Sequence, residues 1–204
     1  MLTSTQYIFL GIVGAMIVQR LLELRHSKKN EAAMLAGGGR EHSPGHFQFM
    51  KLVHTLWFAA MIAEVLLLDR LLESRLDWTL ATAAFAATLA GQSLRYAAIR
   101  TLGERWSVRI ITVPDSPAVA GGIYRYIRHP NYLGVILEIA AVPLIHGAYI
   151  TAIVFTILNA VVLWIRIGAE ERALNLEEGS DYDRRLSGRS RFMALNKSGS
   201  GRDG

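Results

Sequence analysis

Long apolar runs separated by short charged segments dominate this 204-residue chain and constrain its fold more than any other feature. A helix that crosses a bilayer needs about 20 mostly apolar residues, because hydrocarbon offers no water to bond the backbone. Such runs extend from about Thr5 to Leu24, Phe47 to Leu68 and Leu76 to Ile99. The third is rich in Ala and Thr and contains Gly91, small residues that permit close helix packing. Two further runs, Tyr132–Ile145 and Ala148–Ile167, are separated only by His146-Gly147. The break predicts a tight helical hairpin rather than one overlong helix, with Pro143 kinking the first arm near its end. The expected fold is an all-α integral membrane protein with five transmembrane helices, the last two a hairpin, in a single domain over residues 1–195. The Gly/Ser-rich residues 196–204 predict a disordered tail or an added remnant. The first run has neither a basic segment before it nor a small-residue cleavage pattern after it, and reads as a retained anchor.

Charge orients these helices. Arg25, Lys28, Lys29, Arg40 and Lys51 lie between the first two runs. Only Arg70 and Arg75, offset by Asp69, Glu73 and Asp77, lie between the next two. Six arginines, from Arg95 to Arg128, sit around the third loop; the hairpin turn has no Lys or Arg, and the tail is basic again. Rich and poor loops alternate, so the positive-inside rule puts the N-terminus outside and the third loop and the tail in the cytoplasm. A net charge of +5 also suits a nucleic-acid partner. The loop alternation accounts for it more simply, and no nucleic acid is expected. The chain has no cysteine, which excludes disulfides, thiolate metal sites and a cysteine nucleophile. No His/Glu pair has a ligand spacing within one helix, so no metal is expected.

The chemically informative segment runs from Gly121 to Gly134, just before the hairpin: Gly-Gly-Ile-Tyr-Arg-Tyr-Ile-Arg-His-Pro-Asn-Tyr-Leu-Gly. Gly121-Gly122 permits close backbone approaches. Pro130 suits the first turn of a helix, with Asn131 and Tyr132 entering it. A helix N-terminus offers N–H groups to a carboxylate or phosphate. The bland alternative is an interfacial belt of aromatic and basic residues. At the end of the second arm, Arg166 and Glu170 lie four apart on one helix face. They form either a local ion pair or, brought back beside His129 and Tyr132 by the hairpin, part of a site. His54, Glu64 and Glu138 are ionisable residues within apolar runs, functional candidates by default. His54 suits a packing role, Glu64 lies near a span end, and Glu138 is the better candidate for a substrate contact.

The pattern from Gly122 to Gly134, followed after the hairpin by Arg166-Ile-Gly-Ala-Glu170-Glu171, resembles the isoprenylcysteine carboxyl methyltransferase family and the wider group that includes phospholipid N-methyltransferases. The resemblance is specific from about Leu94 to Leu174 and reaches more loosely to Tyr182 and Phe192. Leu94-Arg95, Thr101–Trp106, Gly45-His46-Phe47 and Leu52-Val53-His54 are similar to a bacterial branch, some members of which methylate alkylpyrones made by type III polyketide synthases. The resemblance implies a catalytic half over about 94–192, a bacterial inner-membrane location, and a cytoplasmic pocket roofed by the third loop and the tail. It implies S-adenosyl-L-methionine as cofactor, held by Val119, Tyr124, His129, Pro130, Asn131, Tyr132 and Glu170, and Arg166 as the substrate arginine. The loop from Val108 to Ala120, with Pro114 and Pro117, departs from the eukaryotic members.

The expected activity is O-methylation of an anionic oxygen, a carboxylate or acidic enol or phenol, on a lipophilic or lipidated substrate. Such an oxygen is ionised at neutral pH and needs no general base, and one arginine can hold it. Phospholipid N-methylation is the second enzymatic reading, in which Arg166 would repel a cationic nucleophile. A small membrane scaffold or transporter subunit is the non-enzymatic one.

Overall fold

The computed structural model describes residues 1–176, 181–186 and 188–193. The expected tail, 196–204, lies outside them. Five helices dominate: α1 (Ser4–Ala36), α2 (Pro44–Leu67), α3 (Arg75–Leu102), α4 (Pro130–Leu144) and α5 (Tyr149–Leu176). The starts of α1 and α3 carry capping boxes, Thr3 with Gln6 and Ser74 with Asp77, which satisfy orphan N–H groups at each end. α1, α2 and α5 are long and apolar enough to cross a membrane, and α4 is a shorter apolar helix. α3 has the length, 28 residues, but its Thr, Ser and Gln content lowers its apolarity.

The core joins α1 (Phe9, Val13, Met16), α2 (Trp57, Met61, Val65), α4 (Ile139, Val142) and α5 (Phe155, Val162). Trp57, fully buried, donates its indole N–H to the Ile139 carbonyl at 3.2 Å. α3 and α4 pack most closely. A Cβ on Gly91 would stand 2.9 Å from the Gly134 carbonyl, and one on Gly134 would stand 2.7 Å from the Gly91 carbonyl. Only two glycines allow the backbones to touch there. At the start of α5, the buried Glu64 of α2 accepts from the Thr151 N–H at 2.7 Å, the Ile150 N–H at 3.1 Å and the Thr151 hydroxyl at 2.8 Å. It caps a helix that would otherwise begin with unpaired donors.

Three features differ from the sequence reading. α1 does not end near Leu24 but continues to Ala36. Beyond the apolar run, Ser27, Asn30, Glu31 and Met34 are buried. That i, i+3, i+4, i+7 stripe faces the third loop rather than lipid. The fold is also not purely α: Arg40–His42 pairs antiparallel with Ile110–Thr112 (β1 and β2), fastening the first loop to the third. Finally, Glu23 at the expected end of the first span belongs to a buried cluster of Arg20, Arg95 and Glu138.

Candidate functional site

The segment before α4 is shaped by close contacts. Gly122 adopts φ +52°, and a Cβ there would fall 2.5 Å from the Thr101 hydroxyl of α3. Glycine alone permits this turn so near the helix. A one-turn 3-10 helix, Gly122–Arg125, then buries Tyr124. His129 precedes α4 and Pro130 opens it, with no side chain capping the N-terminus. The tail pairs with this entry: Arg128 N–H donates to the Ser190 carbonyl at 3.0 Å and His129 N–H to the Arg191 carbonyl at 3.1 Å. Arg189 in turn donates to the Tyr124 carbonyl at 2.9 Å.

These elements enclose a cavity of about 280 Å³, near the lower end for small-molecule sites. Val119, Tyr124, His129, Asn131, Tyr132 and Glu170 all line it. So do Asp181 and Tyr182 of the tail and Met34 of α1. Asp181 accepts from the Ala118 N–H at 3.0 Å, and Arg105 donates to the Pro117 carbonyl at 2.7 Å, which fixes the proline-containing loop over the cavity. Pro130 is fully buried at the helix start and contributes no cavity surface.

Arg166 lies behind this wall. Tyr132 stands between Arg166 and Glu170: its hydroxyl accepts from Arg166 Nε at 2.8 Å and donates in a short hydrogen bond to Glu170. Arg166 Nη2 donates to the Val108 carbonyl at 2.5 Å. The neighbouring Glu171 plays a separate part. It lies 3.0 Å from His129 Nε2 and receives both Nε (3.0 Å) and Nη2 (2.5 Å) of Arg191. Such bidentate pairing fixes geometry as well as charge. Burial, then the Glu170 charge, pushes the Tyr124 phenol well above its ordinary range, and Tyr182 is raised for the same reasons. Both hydroxyls stay neutral. The Ala118 N–H holds the Asp181 carboxyl below its usual range, so it faces the cavity ionised.

Glu138, expected as a substrate contact, is not brought to this cavity. It sits 2% exposed between α1, α3 and α4, bonded to Arg20, with Arg95 Nε 3.4 Å from its other oxygen. Arg95 also reaches Glu23 at 2.5 Å. The four charges balance and pair with one another, and Glu23 also accepts from Gln19 at 3.1 Å. His54 rests on its own helix, its Nδ1 2.8 Å from the Met50 carbonyl.

Sequence reasoning missed the part played by α1. Asn30 donates to the Trp106 carbonyl at 2.8 Å and the Gly103 carbonyl at 3.1 Å, and the Ser27 hydroxyl accepts from the Val108 N–H at 2.8 Å. The helical stripe of Ser27, Asn30, Glu31 and Met34 was the available signal. It is hidden because three of its four members are polar. Glu171 and Arg191 were visible as a motif residue and a tail charge, but no local pattern pairs residues twenty positions apart.

Long apolar helices with a cavity under their joined loops mark a helical membrane protein. Residues 82–176 match the model of the isoprenylcysteine carboxyl methyltransferase (ICMT) family. The chain is 39% identical over 163 residues to a protein of Bacillus subtilis called uncharacterized protein YpbQ, covering 80% of this chain and 94% of that one. It is 28% identical over 170 residues to an uncharacterized protein of Haemophilus influenzae, covering 82% and 96%. The chain belongs to the ICMT family, and is thus a membrane methyltransferase of that kind.

Proposed function

We propose that the protein transfers a methyl group from S-adenosyl-L-methionine to an anionic oxygen of a lipophilic acceptor at the cytoplasmic face of the membrane. One observation carries this reading: the Tyr132 hydroxyl links Arg166 to Glu170, so a buried cation stands directly behind the wall of the cavity.

The residues present fit the cofactor. Asn131 lines the cavity, and its buried Oδ1 has no hydrogen-bond partner among the described residues, so it can accept from a ligand. Glu170 and Asp181 favour a ligand carrying positive charge, while the uncapped N-terminus of α4 favours a carboxylate. Tyr124 and Tyr182 add aromatic surface. Val119 and His129 complete the wall, and Pro130 sets its helix. Bound there, S-adenosylmethionine supplies a methyl on a sulfonium: an oxygen–carbon bond forms as the carbon–sulfur bond breaks, and the electron pair stays on sulfur. An acceptor oxygen that enters ionised requires no base, and Arg166 holds it through the guanidinium edge not committed to Tyr132 or Val108. The same buried cation disfavours an amine acceptor. A carboxylate or an acidic enol, such as that of an alkylpyrone, meets the requirement. Glu138 has no part in this, its oxygens being turned toward arginines.

The reading includes five spans, with α3 and α4 crossing beside the three apolar helices, the N-terminus outside and the cavity in the cytoplasm. A reporter fused after Arg75 should read outside and one after Arg109 inside; a cytoplasmic signal at Arg75 would overturn that topology. The activity is tested by incubating the purified protein with methyl-labelled S-adenosylmethionine and a lipid extract. Label should enter a lipophilic species and be released as methanol, by alkali from a methyl ester or by acid from an enol ether. Label on a phospholipid amine, or none at all, would sink the proposal.

A further inference from the structure

The hairpin turn between α4 and α5 buries a histidine whose ring bonds to nothing around it. His146 is 1% exposed, and among the described residues neither of its ring nitrogens has a hydrogen-bond partner. The ring lies against Phe9 of α1, with centroids 5.5 Å apart and planes at 44°. We propose that His146 and the outer end of α1 form an acid-sensitive latch, and that α1 carries its release across the membrane to the roof of the cofactor cavity. The proposal adds regulation to the methyl transfer above and rests on that reading for the side on which the turn lies and for the ligand of the cavity.

A buried polar atom without a partner is costly, and folded proteins keep few. Gln6, one turn before Phe9 on the same buried face of α1, also has an unpartnered amide nitrogen. These surroundings accept a neutral imidazole and offer a charged one no anion. The charges at this end of the bundle are engaged elsewhere. Glu64 of α2 accepts from the Ile150 and Thr151 N–H groups and from Arg70. Asp77 of α3 accepts from the Ser74 N–H, and the Tyr149 hydroxyl of α5 lies 3.5 Å from it. On α4 itself, Glu138 pairs with Arg20 and Arg95. Asp69, Glu73 and Arg75 are exposed around the loop between α2 and α3, the Met1 amino group is exposed, and α1 has no charged side chain before Arg20. Burial holds the His146 ring below its ordinary range. The latch is therefore fully stable above about pH 6.5, the value of a free imidazole, and weakens as the pH falls through and below it.

What the latch holds is one end of a helix whose other end holds the roof. α1 is unbroken from Ser4 to Ala36. At its inner end Asn30 donates to the Trp106 and Gly103 carbonyls, and Ser27 accepts from the Val108 N–H. Trp106 and Met34 line the cofactor cavity. Between the two ends, Arg20 and Glu23 are tied to Glu138 of α4 and Arg95 of α3. Phe9 lies about 17 Å from Arg20 along the axis, and Asn30 about 10 Å beyond Glu23, at about 1.5 Å per residue. A rigid helix fixed at that charge group swings inward at Asn30 when it swings outward at Phe9. Protonation of His146 outside is thus converted into a shift of the third loop inside.

The test uses the full chain in phosphatidylcholine nanodiscs, which leave both faces open to the buffer. The chain has no cysteine, so a single one reports without interference. Ala148→Cys places a thiol in the turn, 0% exposed and in the same core as Phe9, and Ile150→Cys places one at a 55% exposed position as the reference. The reaction of each with 4,4′-dithiodipyridine is timed from pH 7.5 to pH 5. The rate at position 148, relative to position 150, should rise by up to about thirtyfold, the factor for one proton gained over about 1.5 pH units. Adding His146→Leu should abolish the rise. Should that variant misfold, Phe9→Ala decides the matter: it should react faster than the parent at pH 7.5, the latch being already loose. Over the same interval, S-adenosylhomocysteine binding, measured by calorimetry, should weaken several-fold more in the unaltered protein than in His146→Leu. A flat rate ratio, or an equal rise without His146, would overturn the latch. A rise in rate with the same loss of binding in both proteins would overturn its transmission along α1. Absence of S-adenosylhomocysteine binding at every pH would instead strike the proposed methyl transfer and leave the thiol rates as they are.

Discussion

Two groups of arginines and glutamates lie inside this protein, and they are built to opposite ends. Arg20, Glu23, Arg95 and Glu138 form a closed group: two cations and two anions, each facing the others, joining α1, α3 and α4. Arg166, Tyr132 and Glu170 form an open one. The tyrosine separates the charges, and Tyr132 and Glu170 face a cavity. Charges inside a membrane protein are costly unless paired. The closed group meets that cost by internal neutrality. The open group is neutral as well, but Tyr132 and Glu170 border the cavity, where a ligand could reach them. Burial alone therefore does not separate the two groups; a border on the cavity does.

The sharpest way to break the contrast is to unbalance the closed group. Glu138→Gln leaves two arginines facing one carboxylate and should lower stability in detergent by about 3–5 kcal/mol, the scale for removing one partner of a buried pair. Adding Arg20→Gln should restore part of the loss by restoring neutrality. Thermal unfolding of the two variants checks this, and a stable Glu138→Gln protein would show that the group is not a staple.

The open group should respond in rate rather than stability. Arg166→Ala should lower single-turnover methylation by about 100-fold, the scale for one oriented electrostatic contact. Binding of S-adenosylhomocysteine should change little. Arg166→Lys should recover only part, because an ammonium keeps the charge but not the planar fork. Joint loss of binding and rate in the alanine variant, with full rescue by lysine, would make Arg166 a mere partner of the Tyr132–Glu170 pair.

A smaller effect separates the two adjacent glutamates. Glu170→Ala and His129→Ala should each weaken S-adenosylhomocysteine binding by about 1–3 kcal/mol. Glu171→Gln should act more weakly and indirectly, by loosening Arg191 from the tail's pairing with His129. Calorimetry on the three variants would rank them, and an equal or larger loss at Glu171 would reverse the assignment.

Much of the helical framework was legible in the sequence, since an apolar run records lipid contact directly. The run from Phe47 to Leu68 became Pro44–Leu67, and the His146-Gly147 break became the turn between α4 and α5. Legibility failed where a helix leaves hydrocarbon. Past Leu24, α1 turns a polar stripe toward the third loop, and polarity there reads as loop although the backbone stays helical. The β1–β2 ribbon was illegible for another reason: two three-residue strands seventy positions apart carry no period of their own. At the site, the four-residue spacing of Arg166 and Glu170 was readable and the hairpin was expected to bring them near Tyr132. That the tyrosine would stand between them depends on the crossing of α4 and α5, which no local pattern encodes. The spacing likewise could not show that Glu138 turns toward Arg20 and Arg95, because its partners come from two other helices.

The glycine contact between α3 and α4 has a mechanical consequence. Where two backbones touch with no side chain between them, the helices can tilt about the point but not slide across it. Gly134 lies four residues from Pro130 and ten from Leu144, arms of about 6 Å and about 15 Å at 1.5 Å per residue. The fulcrum sits close to the cavity end. A displacement of the hairpin turn, from a change in bilayer thickness or lateral pressure, would reach Pro130 reduced by more than half. With its pivot so placed, α4 would take up disturbances of the lipid in its long arm and pass less of them to the cavity through its short one.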